Sequence, residues 1–340
     1  MTTTGSTRRA PTFHRLTVAE VRPDTDDAVV VTFAVPPELT DEYRWVAGQH
    51  VTLRLPDDQR DVRRSYSICS TPGGPLRVGI KRVADGAFSG WATSELRAGT
   101  ELDVMTPSGS FTTECDPGQA RHVVAVAAGS GITPIRAIVE SVLEGEPRSR
   151  VTLVFVNRSA ADAMFLDELA GLKDRYLHRF VLSHVFTREA PAVDLLSGRL
   201  EGARLATLID RRVLPLYADA TVLCGPAALV DQLRTTLIER GMPASRLHVE
   251  LFTTAADRRG GRDHHLARPL DDGGRRTRRG RARCCAAHTS RGSLLVPLGR
   301  VLDVPRAATR GRGRDGGLLR ARRRRARGVL RAHVPGDADI

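Results

Sequence analysis

The sequence of 340 residues is poor in cysteine and has no long apolar run, and both absences exclude classes of protein. Its five cysteines, Cys69, Cys115, Cys224, Cys284 and Cys285, have the spacing of neither a disulfide framework nor a zinc site. No run of about 18 apolar residues occurs, so no membrane-spanning helix is predicted. The first residues are polar and lack the apolar stretch of a signal peptide, so we expect a soluble cytoplasmic protein.

Residues 257–340 lack several residue types that the rest of the chain contains. They contain no Lys, Glu, Asn, Gln, Phe, Tyr or Trp. With 23 Arg and 8 Asp this segment carries a charge of +15, whereas residues 1–256, with 29 basic and 31 acidic residues, carry −2. A folded domain needs periodic apolar residues, and a nucleic-acid arm normally adds aromatic rings. We therefore expect residues 257–340 to be a disordered, Arg-rich, low-complexity tail, and residues 1–10 to be disordered too.

The remaining residues divide into two regions of different periodicity. Residues 11–116 contain short β-type runs bounded by Gly, Pro and Asp, with one helical stretch at 89–96, which predicts an antiparallel barrel. Residues 121–254 alternate apolar strands with helices, among them 160–172 and 227–240, which predicts a parallel sheet covered by helices. The predicted fold class is therefore β plus α/β, followed by the disordered tail.

Two motifs of the predicted barrel suit a cofactor that has both a phosphate and an aromatic ring. Arg64, Ser65, Tyr66 and Ser67 lie on one strand, where residues two apart share a face, so Arg64 could clamp a phosphate while Tyr66 covers a ring. At 86–89 a glycine turn opens a helix, whose first amides and dipole favour an anion. Taken singly, each motif is at least as well explained by an exposed strand or an ordinary helix cap.

Three further motifs lie where strands of the second region end. At 129–134 the run Gly-Ser-Gly-Ile-Thr-Pro opens a helix, where glycine lets a pyrophosphate approach the backbone and proline suits the first turn. At 224–226 Cys-Gly-Pro precedes a helix, and its cysteine is either beside a reacting ring or a small buried residue. Glu250 and Phe252 share a face and are either a proton carrier and a ring cover or an ordinary rim pair.

In this order and spacing the five motifs resemble the ferredoxin–NADP reductase superfamily over roughly residues 12–254, with its pattern R-x-Y-S, G-x-x-S, G-x-G-x-x-P, C-G-P and E-x-F. The runs RRSYSICS, AAGSGITPIRAIV and LCGPAALVDQLRTTLIERGMP are most similar to the reductase components of phenylacetyl-CoA epoxidase (phenylacetate degradation) systems. The resemblance implies an NAD(P)H-dependent FAD enzyme that takes hydride from nicotinamide and passes electrons singly to an oxygenase. It implies no nucleic-acid or membrane partner.

The resemblance also implies a role for each site residue. Arg64 would hold the FAD pyrophosphate, Tyr66 would pack on the isoalloxazine, and Ser67 would lie near its N5 atom. The implied FAD-binding set is Arg64, Ser65, Tyr66, Ser67, Gly86, Phe88 and Ser89. The implied NAD(P)-binding set is Gly129, Gly131, Thr133, Pro134, Arg158, Cys224, Gly225 and Pro226, with Phe252 beside the flavin. The implied catalytic set is Ser67, Thr133, Cys224 and Glu250.

Arg158 bears on the choice between NADH and NADPH. It follows the second strand of the nucleotide-binding region, where a cation can receive a 2′-phosphate. An arginine at a strand end is often only solvated, so the sequence favours NADPH and leaves NADH open.

Relatives in that subgroup continue into a [2Fe–2S] ferredoxin domain, with cysteines spaced C-x4-C-x2-C and a distant fourth. This chain has no such pattern, so no metal ligand is predicted. Read one base later with G- or C-ending codons, residues 296–306 would encode Cys-Arg-Trp-Gly-Ala-Cys-Ser-Thr-Cys-Arg, with cysteines beneath Val296, Val301 and Val304 and a fourth beneath Val334. We therefore interpret the tail as a ferredoxin domain lost to a shifted reading frame.

Other functional hypotheses stay open at this point. One is the reductase of a different multicomponent ring hydroxylase. A second, of another class, is a basic nucleic-acid-binding protein, and it rests on the tail alone. A third is an inactive remnant that aggregates through its tail.

Overall fold

The structure, a computed structural model, describes residues 11–55, 61–189 and 196–252, without the side chains of residues 202 and 203. The predictions made for residues 1–10 and 257–340 lie outside the described residues. This applies to the disordered tail and to the lost ferredoxin domain.

The first region forms an antiparallel six-stranded sheet that curls into a barrel. Its strands are β1 (Phe13–Thr25), β2 (Ala28–Ala34), β3 (His50–Arg54), β4 (Arg63–Ser67), β5 (Leu76–Lys81) and β6 (Glu101–Met105), and the helix α1 (Ala87–Ser94) follows β5. The strand order is β4-β3-β6-β1-β2-β5, and a bridge between Ile68 and Val78 joins the two edges. Alternate residues of these strands, such as Val51 and Leu53, fill the barrel interior.

The second region is a parallel five-stranded sheet with helices on both faces. Its elements are β7 (His122–Ala128), α2 (Ile132–Gly145), β8 (Arg150–Asn157), α3 (Leu166–Arg175), β9 (Phe180–Phe186), α4 (Gly202–Asp210), β10 (Ala220–Pro226), α5 (Ala227–Glu239) and β11 (Leu247–Phe252). The strand order is β11-β10-β7-β8-β9. Together with the barrel, this confirms the predicted β plus α/β class for the described residues.

The central strands of this sheet are apolar throughout because each face is covered. Val123 and Ala125 of β7 face the cluster that holds α2 and α3, whereas Val124 and Val126 face the cluster of α4 and α5. The first cluster also contains Phe111, from the segment that links the two sheets. The barrel and the α/β layer therefore share buried apolar contacts.

One helix prediction was wrong at its start. The apolar spacing predicts a helix over 160–172, but α3 spans Leu166–Arg175 and residues before it form turns. Phe165 has a positive φ of 58°, and its amide donates to the Asp24 carboxylate of the barrel at 3.0 Å. Phe165 is the left-handed N-cap residue of α3, so the backbone at the helix start is held by a contact from distant sequence.

Within the described ranges, no helix combines the length and the apolar composition that crossing a bilayer requires.

Candidate functional site

The loop at 129–131 and the segment Cys224–Pro226 meet at the point where the strand order of the parallel sheet reverses. From β7 the chain adds β8 and β9 on one side, then returns to add β10 and β11 on the other. Loops after β7 and β10 therefore leave a crevice at the carboxyl ends of these strands, the usual ligand position in such sheets. Two motifs that lie far apart in the sequence thus meet at one crevice.

Two of the three glycines at this crevice are required by packing. A Cβ atom on Gly131 would collide with the carbonyl oxygen of Cys224, and one on Gly225 would lie 2.9 Å from the Cβ atom of Ala128. Gly129 differs, because it has a φ of +53° and open space beside its α-carbon. Its backbone is therefore the part of this loop most accessible to a pyrophosphate.

Thr133 faces both the loop and the barrel. Its Oγ1 donates to the carbonyl of Ser130 at 3.0 Å, and Pro134 follows it in the first turn of α2. A Cβ atom on Gly79 of β5 would lie 2.7 Å from the Thr133 methyl group. Thr133, which follows the 129–131 loop, is therefore packed directly on a barrel strand.

Cys224 and Glu250 form a polar pair beneath the crevice. They are partners in the β10–β11 register, and the Cys224 thiol donates to Oε2 of Glu250 at 3.9 Å. Burial raises the pKa of Glu250 to about 7. Burial, together with the Glu250 charge, raises the pKa of Cys224 well above its ordinary value. The sulfur therefore stays a thiol near neutral pH, and Glu250 can take up or give a proton there.

Phe252 ends β11 opposite Pro226, the last residue of β10. Its ring is partly buried against the apolar cluster that includes α2. The terminal Glu-x-Phe motif therefore lies next to the Cys-Gly-Pro segment.

The strand β4 carries the other half of the predicted site. Arg63 makes two hydrogen bonds to the Asp61 carboxylate, at 2.8 and 2.6 Å. Arg64 donates to the Arg63 carbonyl at 2.7 Å and pairs with no carboxylate among the described residues. Arg64 is therefore the better candidate of the two for binding an external phosphate.

Tyr66, Ser65 and Ser67 differ in their surroundings. The Tyr66 ring lies 5.4 Å from that of Phe88, and burial raises the pKa of Tyr66 above its ordinary value. The Ser65 hydroxyl is exposed and lies 3.0 Å from that of Thr52, whereas Ser67 is buried at the end of β4. The aromatic ring and the two hydroxyls are thus held at one edge of the barrel.

The glycine turn before α1 is formed by the residues of the 86–89 motif. The Ser89 hydroxyl accepts a hydrogen bond from the Val83 amide at 3.1 Å and donates to the Gly86 carbonyl at 3.3 Å. Phe88 is only 1% exposed. Both side chains therefore serve the fold, and an anion at this helix start would be met by backbone amides.

Arg158 is placed at the end of β8 but is already paired. Its Nη2 donates to Oδ1 of Asp162 at 2.6 Å and lies 3.4 Å from Oδ2 of Asp27. A hydrogen bond from Ser159, reinforced by the Arg158 charge, holds the pKa of Asp162 below its ordinary value. A 2′-phosphate would have to compete with Asp162 for this guanidinium.

A group of charges between the barrel and α2 was not predicted from the sequence motifs. Arg136 lies in α2 and is 5% exposed, and Glu168 of α3 lies within 2.7 Å of it. The available signal was a charged residue inside the apolar run ITPIRAIV. A buried charge needs a partner, but sequence alone does not say which one.

The three described cysteines, Cys69, Cys115 and Cys224, are not grouped as an iron–sulfur cluster requires. In the part of the chain that the structure describes, no three His, Cys, Asp or Glu side chains are grouped to hold a metal ion. Burial raises the pKa of Cys69 to about 12 and that of Cys224 well above its ordinary value, so both side chains are neutral thiols near neutral pH. Cys115 is a free cysteine outside any such group.

Two family models match this chain. The oxidoreductase FAD-binding domain matches residues 16–113, and the oxidoreductase NAD-binding domain matches residues 125–235.

Two curated relatives extend over most of the chain. One component of the 1,2-phenylacetyl-CoA epoxidase of Escherichia coli (strain K12) is 43% identical over 252 residues, which cover 73% of this chain and 70% of the relative. The ferredoxin reductase component of 3-ketosteroid-9-alpha-monooxygenase from Mycobacterium tuberculosis (strain CDC 1551 / Oshkosh) is 34% identical over 272 residues, which cover 76% and 69%.

Solved structures share the arrangement. The Amycolatopsis cytochrome P450 reductase GcoB matches with a TM-score of 0.61 and 28% identity, over 73% of this chain and 72% of that one. A ferredoxin NADP+ reductase from Neisseria gonorrhoeae, solved with FAD and NADP, matches with a TM-score of 0.59 and 21% identity, over 70% of this chain and 98% of that one. The second likeness concerns the fold alone.

Proposed function

The chain belongs to the ferredoxin–NADP reductase family, and we propose that it is the reductase of an oxygenase system like phenylacetyl-CoA epoxidase. Family membership makes it an NAD(P)H-dependent flavin oxidoreductase with FAD and NAD(P)H as cofactors. The oxygenase partner and a place in phenylacetate degradation are the proposal, which the 43% identity to the Escherichia coli epoxidase component supports. A cytoplasmic location belongs to the same proposal, because NAD(P)H is supplied there.

The observation that carries the proposal is the meeting of the 129–131 loop, the Cys224–Pro226 segment and the end of β11 at one crevice. We assign the NAD(P)H pyrophosphate to Gly129 and the start of α2, where backbone amides and the helix dipole favour it. Thr133 and Cys224 would flank the nicotinamide. Gly131 and Gly225 let the two loops approach closely enough to do so.

The residues of β4 and α1 fit FAD. Arg64 is free of carboxylate partners among the described residues, so it is available to the pyrophosphate. Tyr66 offers an aromatic face, Ser67 a hydroxyl, and the turn at 86–89 a helix start for the anion. FAD held by these residues would supply the hydride-accepting and one-electron-donating chemistry of the reaction.

The protein's own contribution is to hold the two rings together and to manage a proton. Holding two reactants in a fixed orientation is worth several kcal/mol, about 7 or more in favourable cases. Glu250 is placed beneath the crevice with a pKa of about 7, so it can exchange a proton near neutral pH. The neutral thiol of Cys224 holds the Glu250 side chain by a hydrogen bond.

We also propose that this chain lacks the [2Fe–2S] ferredoxin domain through which electrons would pass from the flavin to an oxygenase. Its cysteines do not supply a cluster ligand set, and the shifted-frame interpretation of residues 257–340 explains why. The purified protein should show flavin absorbance, NAD(P)H–ferricyanide reductase activity and little transfer to an oxygenase. Stoichiometric iron with cluster absorbance would contradict this. Sequencing the DNA around codons 250–300 tests the frame separately.

A second candidate partner is a steroid or ring hydroxylase. The 34% identity to the Mycobacterium tuberculosis reductase component favours it. Because this chain lacks a ferredoxin pattern, the discriminating assay adds an external plant-type ferredoxin to either oxygenase and measures product. We expect turnover with the epoxidase. Turnover with the steroid monooxygenase alone would reverse the assignment.

A further inference from the structure

Arg136 is a buried cation that links two parts of the molecule. It lies in the second turn of α2, and its side chain is 6% exposed. Its Nη1 donates to the carbonyl oxygen of Cys69, which lies just beyond the end of β4. Its Nη2 lies 2.7 Å from Oε2 of Glu168 and 3.1 Å from Oε2 of Glu140. The guanidinium therefore spans the barrel and the α/β layer.

The two ends of this link are close to the two halves of the site. Cys69 lies two residues beyond Ser67, the last residue of β4 (the flavin strand of the proposed function). Arg136 follows Thr133 by three residues, nearly one helical turn, and Thr133 follows the loop at 129–131 (the nicotinamide loop of the proposed function). A rigid helix carries Thr133 and Arg136 together. Any displacement of the guanidinium from the Cys69 carbonyl therefore moves the nicotinamide loop relative to the flavin strand.

Glu168 extends the link to two more barrel strands. Its Oε1 accepts hydrogen bonds from Arg22 of β1 at 2.6 Å and from Arg77 of β5 at 3.1 Å. Its Oε2 faces Arg136. Arginine suits such a position because its planar fork can serve several acceptors at once, which a lysine ammonium does with less geometric definition.

The packing around the link leaves little room for adjustment. A Cβ atom on Gly79, two residues beyond Arg77, would lie 2.7 Å from the Thr133 methyl group. The Arg136 guanidinium also lies over the Phe165 ring, at 5.4 Å from its centre. The nicotinamide loop is thus fixed on the barrel by one apolar contact and one charged contact.

We propose that Arg136 is a positioning residue for hydride transfer, which sets the distance between the nicotinamide loop and the flavin strand by binding the Cys69 carbonyl and Glu168. This rests on the proposed function, since it concerns the same crevice. Arg136 touches neither the flavin nor the nicotinamide position in this assignment. Its loss should therefore change the rate of transfer and leave the binding residues intact.

The test compares Arg136→Met and Arg136→Lys with Arg121→Met. Arg121 forms a comparable pair in the same layer, 2.6 Å from the fully buried Glu146, and its Nη2 also donates to the Glu114 carbonyl in the segment that links the two sheets. Among the described residues its side chain makes no hydrogen bond to a barrel strand. Stopped-flow mixing with NAD(P)H and its 4-deuterated form measures the limiting rate of flavin reduction. Calorimetry of each FAD-free protein measures whether the barrel and the α/β layer unfold together.

We expect Arg136→Met to slow limiting reduction by about 10- to 100-fold with an unchanged FAD affinity, because a misplacement of about 1 Å has effects of that size. Arg136→Lys should recover part of the rate. Arg121→Met should melt earlier and yet reduce its flavin at the wild-type rate. In calorimetry, we expect the wild type and Arg121→Met to unfold in one transition. We expect the two Arg136 variants to unfold in two transitions.

Equal rates in Arg136→Met and the wild type would overturn the proposal, as would an equal slowing in Arg121→Met. If Arg136→Met does not fold, Arg136→Lys decides, since a wild-type rate with a single transition refutes the role. A wild type that binds no FAD, or is not reduced by NAD(P)H, contradicts the proposed function instead. The calorimetric comparison still tests the coupling in that case.

Discussion

Replacing Glu250 by glutamine removes a carboxyl group that burial keeps partly protonated at neutral pH. Burial raises the pKa of Glu250 from an ordinary 4.5 to about 7. In the unfolded chain the same group ionises at the lower value. Between the two pKa values the unfolded state releases its proton while the folded state keeps it, so rising pH favours unfolding. The stabilisation that the protonated Glu250 contributes is fully lost once the pH exceeds the folded-state pKa.

The size of this effect follows from the two pKa values. A difference from 4.5 to about 7 corresponds to roughly 3 kcal/mol above neutral pH. Because the Glu250 side chain is partly open to solvent, we expect about 2 kcal/mol. In a folded unit of this size that free energy corresponds to roughly 4–8 °C in Tm.

The assay is thermal unfolding of the wild type and Glu250→Gln at about pH 5 and pH 8. The variant lacks the ionisation, so its Tm relative to the wild type should rise by roughly three quarters of the stated amount from the lower pH to the higher, because the unfolded carboxyl is already partly ionised at pH 5. Any pH-independent effect of the lost Cys224 contact cancels in this comparison. The exposed Glu239, changed to Gln, serves as the control and should follow the wild type at both pH values. Parallel curves for Glu250→Gln and the wild type would refute the reasoning.

Three other variants test separate parts of the site. Gly131→Ala forces a methyl group into the Cys224 carbonyl and should cost about 1–3 kcal/mol in denaturant unfolding, even without cofactor. Asp162→Asn releases Arg158 from its closest carboxylate and should lower KM for NADPH about 2- to 5-fold while leaving KM for NADH unchanged. Arg64→Ala should weaken FAD binding by about 10-fold or more, since a hydrogen bond to a charged group is worth about 1.5–3 kcal/mol, and a titration that matches the wild type would exclude its role.

The motif positions could be predicted because their chemistry is local. A glycine-rich turn after an apolar strand, or an arginine and a tyrosine two residues apart on a strand, has its meaning within a few residues. The alternation of strands and helices likewise predicts a covered parallel sheet. The start of α3 could not be predicted in this way, because the left-handed Phe165 before it is held by Asp24 of the barrel.

The contacts and burial of individual site residues could not be predicted from the sequence either. Arg158 stands where a 2′-phosphate cation was expected, but Asp27 from the barrel and Asp162 from the next turn already face it. Phe88 is buried in the core, and the Ser89 hydroxyl donates to the Gly86 carbonyl within the turn. These outcomes depend on partners that are distant in sequence or on competing bonds close by.

The sequence by itself determined which residues can bind phosphate, cover a ring or carry a proton, because those capacities belong to side chains and short turns. The tertiary structure decided which of them act together. Strand order places β10 beside β7 and so brings Cys224 to the 129–131 loop. Burial raises the pKa of Glu250, and the Arg136 guanidinium joins α2 to the Cys69 carbonyl just beyond β4. Adjacency and desolvation arise only when segments far apart in the chain pack together, so no local pattern contains them.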